Sequence, residues 1–271
     1  MSDNSKIQWT DATWNPVIGC SHASPGCGHC WAERMATRCA SNPVTPQYRG
    51  LVRDGHWTGE TRLVERALEQ PLHWRRPRRI FVCSMGDLFH GAVDDREIER
   101  VLSVMAEAPQ HTYLLLTKRA DRMRSHAPRV PMRNVWLGVT AEDQARADER
   151  IPILLDTPAA VRFVSVEPML EAVDMSAFLG GPYVALPGDR VEPSRNAGID
   201  WIISGCESGP GARDCDLDWM RSLRDQCVAA GVPYFLKQAD MATEEEPRAR
   251  LVKMPSLDGR VWDQVPEVSR G

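Results

Sequence analysis

The sequence predicts an α/β protein built on a parallel sheet, with about six or seven βα units that form a full or partial barrel. Three observations carry this expectation. Short apolar runs alternate with longer helical-looking segments along the chain. Runs such as Ile80-Phe81-Val82-Cys83 and Tyr113-Leu114-Leu115-Leu116 are continuous, as strands covered on both faces require. Each run ends in polar or glycine residues, the pattern of strand ends that open onto a site.

The first strand is expected over Trp14–Gly19, followed by a helix over His29–Ala40. Strands then follow at Ile80–Ser84, Thr112–Thr117, Val135–Thr140, Val161–Val166, Trp201–Ser204 and Tyr234–Lys237. The helices between them are expected at Asp95–Ala108, Asp143–Leu155 and Asp218–Ala230. Asp94 or Asp95 can cap the first of these, and Gly231-Val232-Pro233 stops the last. Residues 43–62 and 180–198 are rich in proline, glycine and charge and read as insertions. Residues 1–240 are therefore read as one barrel domain, and 241–271 as a polar C-terminal tail packing on it.

The bulk properties exclude some classes of function. A net charge of −4 and a pI near 6.0 leave no overall basic field for nucleic acid. No stretch approaches the roughly 18 apolar residues of a membrane span. The opening MSDNSKIQWTD lacks the apolar run of a signal peptide, so a cytoplasmic protein without a membrane partner is expected. Eight cysteines in a reducing compartment favour metal or redox chemistry over disulfides.

Three of them, Cys20, Cys27 and Cys30, stand close together with the spacing C-x6-C-x2-C, between the first strand and the first helix. Soft thiolates select iron–sulfur clusters, zinc or Cu(I). Three ligands would leave one iron of a 4Fe–4S cluster open to bind a further molecule, whereas four would close it. The other reading is structural zinc, completed by His22, His29 or Cys39. The position of the loop, on the face where parallel α/β proteins place their sites, favours the cluster. Cys39, Cys83 and Cys227 read as buried small hydrophobes, and Cys206 and Cys215 flank a glycine-rich loop.

Strand ends supply the other candidates. Ser84-Met85-Gly86-Asp87 can set backbone groups and a carboxylate beside an amino-acid ammonium. Gly205-Cys206-Glu207 lies in a loop that lets backbone approach a ligand, and Glu207 can accept from ribose hydroxyls. Glu142 lies at another strand end. Lys118 and Glu167 are candidate catalytic charges, and Lys118 stands out because the chain has only four lysines. His90, Trp9 and Trp14 are read as packing.

The segment IQWTDATWNPVIGCSHASPGCGHCWAERMA, with FVCSMGDLFH, LLLTKRADRM, NVWLGVTAEDQ, RFVSVEPML, WIISGCESGPGAR, LRDQCVAAGVPYFLKQ and LDGRVWDQVP, resembles a phage- and prophage-associated family of radical-SAM-like proteins of unidentified substrate. The resemblance covers nearly the whole chain. It implies a partial TIM-like (β/α)6 barrel holding a 4Fe–4S cluster on Cys20, Cys27 and Cys30. It also implies S-adenosylmethionine (SAM) on Ser84, Met85, Gly86 and Asp87 and on Gly205 and Glu207, to which the strand-end reading adds Glu142 for SAM and Lys118, Glu167 and Cys206 as catalytic candidates; Cys206 stands where this family is expected to have glycine. The wider radical SAM group uses a C-x3-C-x2-C spacing with an aromatic before the last cysteine; here the first gap is longer and Trp31 follows it. The implied activity is reductive cleavage of SAM to a 5′-deoxyadenosyl radical, with an external reductant of the flavodoxin or ferredoxin type. Nucleosides or nucleic acid are the first candidate substrates. Two rivals stand beside it: a zinc-stabilised nucleic-acid-binding protein, to which the run Trp74–Arg79 lends basic charge, and an iron–sulfur electron carrier or sensor without SAM turnover.

Overall fold

The structure, a computed structural model, describes residues 5–180, 184–186, 190–192, 198–241 and 250–267. It separates into two compact units, Met1–Val139 with Thr157–Ala160, and Thr140–Asp156 with Val161–Gly271.

The first unit contains strands β1 (Ala12–Trp14) and β2 (Val17–Ile18), helix α1 (Trp31–Ala40), short strands β3 (Val52–Arg53), β4 (His56–Trp57) and β5 (Arg62–Leu63), and helix α2 (Glu65–Leu68). It continues with β6 (Arg79–Val82), α3 (Asp95–Glu107), β7 (Thr112–Thr117), α4 (Ala120–His126) and β8 (Val135–Thr140). Strands β1, β6, β7 and β8 pair in that order, all parallel, with Trp14 opposite Val82 and Val82 opposite Leu115. Most of their side chains are buried and none is exposed, which is why the apolar runs are continuous. Helix α3 starts where the sequence places it. The Asp94 carboxylate accepts from the Arg96 N–H at 2.8 Å, and the Glu97 carboxylate accepts from the Asp94 N–H at 3.2 Å. Its buried stripe is Ile98, Val101, Val104 and Met105.

The first strand departs from expectation. Residues expected to run unbroken from Trp14 to Gly19 form β1 and β2, separated at Asn15-Pro16. Pro16 has no N–H to donate to a ladder, and it restricts the residue before it. Beyond it the chain leaves the parallel sheet, and β2 pairs antiparallel with β5 at the end of the 43–62 insertion. That insertion is therefore structural. Its Tyr48 and Leu51 are buried in one cluster with Ile18, Ala36, Val64, Ala67 and Met85. Strand β6 likewise stops at Val82, because Cys83 adopts φ +57° and turns the chain away.

The second unit contains α5 (Gln144–Leu155), β9 (Val161–Val166), β10 (Val184–Leu186), β11 (Arg190–Glu192), β12 (Trp201–Gly205), α6 (Leu217–Ala230), β13 (Tyr234–Met241), β14 (Arg250–Lys253), β15 (Ser256–Leu257) and β16 (Arg260–Val261). Strands β9, β12 and β13 are parallel, and β14 joins β13 antiparallel. Asp143 caps α5 by accepting from the Arg146 N–H at 2.8 Å, and Gly231, at φ +68°, ends α6. Of the second predicted insertion, β10 and β11 pair antiparallel, while 181–183, 187–189 and 193–197 lie outside the described residues. Of the tail, 242–249 and 268–271 lie outside them too. Its described part supplies β14 and Trp262, whose carbonyl accepts from the Leu236 N–H at 2.8 Å. Among the described residues, no helix is long and apolar enough to cross a membrane.

Candidate functional site

The cysteine loop belongs to the first unit and is shaped by backbone geometry. Gly19, at φ +95°, reverses the chain just before Cys20, and a Cβ there would stand 2.3 Å from the Glu60 carbonyl oxygen. Only glycine fits that position. Cys27 ends a single 3₁₀ turn, Pro25–Cys27, and its sulfur lies 3.5 Å from the Ala23 N–H. Cys30 is the residue before the first turn of α1, and its N–H donates to the Cys27 carbonyl at 3.3 Å. Cys27 is buried, while Cys20 and Cys30 are partly exposed. Among the described residues no three thiols lie within 4.8 Å of one another. A tetrahedral zinc with Zn–S bonds near 2.3 Å would need its sulfurs about 3.8 Å apart, so the trio is not drawn together as a single-ion site.

Beside Cys20 sits a polar network that ties β6 and β7 to the loop. Asp87 is buried and accepts from Thr117 Oγ1 at 2.8 Å, from the Phe89 N–H at 2.9 Å and from Arg119 Nη1 at 2.8 Å. The same Arg119 nitrogen lies 3.7 Å from the Cys20 sulfur, and Nη2 donates to the carbonyl and hydroxyl oxygens of Ser21 at 3.0 and 3.1 Å. Ser21 Oγ is 2.7 Å from His90 Nε2. Because His90 Nδ1 accepts from the Ala92 N–H, Nε2 carries the proton and donates to Ser21. Burial, then the Asp87 carboxylate, pushes the Cys20 thiol up to about 12, and the Arg119 guanidinium opposes this. Any metal or cluster that takes Cys20 must therefore supply the charge that ionises it.

The motif Ser84-Met85-Gly86 braces this loop. Ser84 Oγ and the Met85 N–H both donate to Asn15 Oδ1, at 3.2 and 2.9 Å. The Met85 side chain is core, and its carbonyl accepts from the Gly19 N–H at 3.1 Å. Gly86 bridges to Gly19, where a Cβ would come within 2.9 Å of the Gly19 carbonyl. Lys118 reaches Asp87 only through its backbone N–H, at 3.5 Å; its side chain makes no hydrogen bond or ion pair among the described residues.

The remaining predicted residues lie in the second unit. Glu142 is fully buried with Arg150 Nη1 at 3.0 Å, and Arg150 also donates to the Thr140 carbonyl. Glu167 forms an ion pair with Lys237, which lies within β13 rather than at its end because that strand continues to Met241. Glu207 is clamped by Arg213, which donates through Nε at 3.0 Å, Nη2 at 2.5 Å and its backbone N–H at 3.0 Å. Gly205 marks a break in register between β12 and β13. Cys206 is fully buried; its carbonyl accepts from Gln238 Nε2 at 2.8 Å. Burial raises its thiol well above the ordinary range, and the charges of Asp240, Cys215 and Glu167 add to that.

The structure thus assembles Cys20, Asp87 and the 84–86 brace in one unit, whereas Glu142, Glu167, Gly205, Cys206 and Glu207 lie in the other, engaged by Arg150, Lys237, Gln238 and Arg213. Arg119, Ser21 and His90 escaped the sequence reading as site residues. The signal for Arg119 was its place at the end of β7, beside the rarer Lys118 that drew attention instead. One family profile, described as a protein of unknown function (DUF5131), matches residues 4–266. No curated protein and no solved structure matches the chain.

Proposed function

This chain belongs to the DUF5131 family, and on that premise we propose that it is a cytoplasmic iron–sulfur enzyme that cleaves SAM reductively. The proposal includes a partial (β/α)6 barrel of the radical SAM type. The observation that carries it is the placing of three thiols on one loop, with the Arg119 guanidinium 3.7 Å from the sulfur of Cys20.

When bound, a 4Fe–4S cluster with one open iron supplies the electron that splits a carbon–sulfur bond of SAM, giving methionine and a 5′-deoxyadenosyl radical. The chain's own groups hold and tune. Cys20, Cys27 and Cys30 are the ligands. Arg119 offsets negative charge on the Cys20 sulfur, and Asp87 fixes Arg119 in place. Hydrogen bonds to a ligand sulfur are one of the ways a protein sets a cluster's potential. Ser21 and His90 hold the loop against the end of β6. The proposed SAM-binding residues are Ser84–Asp87, Glu142, Gly205 and Glu207, and Arg213 orients Glu207. Lys118, whose ammonium has no partner among the described residues, Glu167 and Cys206 are the proposed catalytic residues. The electron comes from a flavodoxin- or ferredoxin-type donor, and nucleosides or DNA are the first substrates to try.

Anaerobic purification followed by dithionite and SAM tests this. The expected result is a brown protein containing iron and sulfide that forms 5′-deoxyadenosine. Cys20→Ala, Cys27→Ala and Cys30→Ala should each lose the iron, whereas Cys39→Ala, Cys83→Ala and Cys227→Ala should retain it. A colourless, zinc-only protein overturns the proposal. Iron without 5′-deoxyadenosine turns it into an electron carrier or sensor.

A further inference from the structure

A second group of metal-ligating side chains lies in the first unit and uses none of the cysteines. Glu33, on the first turn of α1, is buried, with only 5% of its side chain exposed. Its carboxylate receives two histidines from different parts of the chain. His22 Nε2, from the cysteine loop, lies 3.1 and 3.2 Å from the two oxygens. His56 Nδ1, from the β3–β4 hairpin, lies 3.7 Å from Oε2. All three ligand atoms fall within 4.8 Å of one another. From this geometry we propose that His22, Glu33 and His56 bind one divalent d-block cation of the zinc type.

The spacing fits the ion. Zinc–nitrogen and zinc–oxygen bonds of 2.0–2.1 Å in a tetrahedron place ligand atoms about 3.4 Å apart, and the two nitrogen–carboxylate distances, 3.1 and 3.7 Å, bracket that value, while the two nitrogens lie within 4.8 Å of each other. Two imidazoles and a carboxylate are the donors that borderline d-block ions select. An ion pair needs only one imidazolium on a carboxylate. Here two rings converge on one carboxylate, with centroids 6.3 Å apart. A divalent ion satisfies both neutral rings and the carboxylate together.

The surroundings complete a coordination shell. The Trp57 N–H donates to Glu33 Oε1 at 2.7 Å and fixes the carboxylate from behind. The side chains of His22 and His56 are 43% and 74% exposed, so the fourth position faces water. The ion joins the cysteine loop, α1 and the hairpin of the 43–62 insertion. Its role is to hold the first half of the cysteine loop, and it does not depend on what the cysteines bind.

The test separates the two donor sets. In the full chain carrying Cys20→Ser, Cys27→Ser and Cys30→Ser, zinc alone should bind at one ion per chain by calorimetry. Adding His56→Ala should weaken it by at least about 100-fold, more than the loss of an outer partner would. Glu33→Gln, which can still accept from the Trp57 N–H, should abolish it. No zinc uptake by a folded chain, or equal uptake after His56→Ala and Glu33→Gln, overturns the site. If the serine variant fails to fold, Co²⁺ is added to the unsubstituted chain. Visible bands without thiolate-to-cobalt charge transfer, lost in His56→Ala, support the site; bands that persist there overturn it.

Discussion

The Asp87 carboxylate shows how a residue can be legible in kind and not in role. Its position at the end of β6 marks it in the sequence as a strand-end acid. Its partners are Thr117, Phe89 and above all Arg119, which the sequence separates from it by a whole helix and strand. A charge this buried is held by its pair, and removing one partner strands the other. Asp87→Asn should therefore destabilise the first unit by about 3 kcal/mol, measured by urea unfolding. A loss under about 0.5 kcal/mol, within the range of an ordinary surface substitution, would mean that Arg119 finds water or Ser21 enough. Glu207 and Glu167 follow the same pattern. Each was visible as a strand-end acid, and each is engaged by a basic residue, Arg213 or Lys237, with which no local pattern pairs it.

Among the elements, strands β7, β8 and β9 have the limits the apolar runs give them, because a strand buried on both faces is bounded by where burial stops. The start of α3 was equally legible, since its cap is made by residues within one turn of it. The first strand was not. Its apolar pattern continues through Pro16, yet the hydrogen-bond partner changes there from β6 to β5, and pairing is a property of the fold. Gly19 fixes that change of direction. Gly19→Ala should cost about 2 kcal/mol or more, from a side chain forced into positive φ and against the Glu60 carbonyl. It should also lower iron retention, because Cys20 follows directly. Unchanged thermal unfolding and full iron content would show that the loop tolerates another path.

For the molecule as a whole, the stability profile should carry the mark of its buried histidines. His90 and His111 are both held below the ordinary histidine range, chiefly by burial, with Arg119 and Arg78 adding to it. A folded pKa below the unfolded one means that the unfolded chain binds more protons as the solution is acidified. Their contribution is complete above about pH 6.5, the ordinary histidine value, and is lost as pH falls below it. Unfolding free energy should decline from pH 7 towards pH 5, and His111→Gln should flatten part of that slope. A slope unaffected by that substitution would assign the acid sensitivity elsewhere.

By itself the sequence determined the parallel α/β plan, the helix caps and the close spacing of three cysteines, because each is written in neighbouring residues: apolar runs, a capping acid, a short C-x6-C-x2-C loop. Tertiary structure alone decided that the 43–62 insertion is core to the first unit, that Arg119 reaches both Asp87 and Cys20, and that His22 and His56 meet on Glu33. Those relations join residues far apart along the chain. Their proximity comes from strand pairing and burial, which no local spacing records.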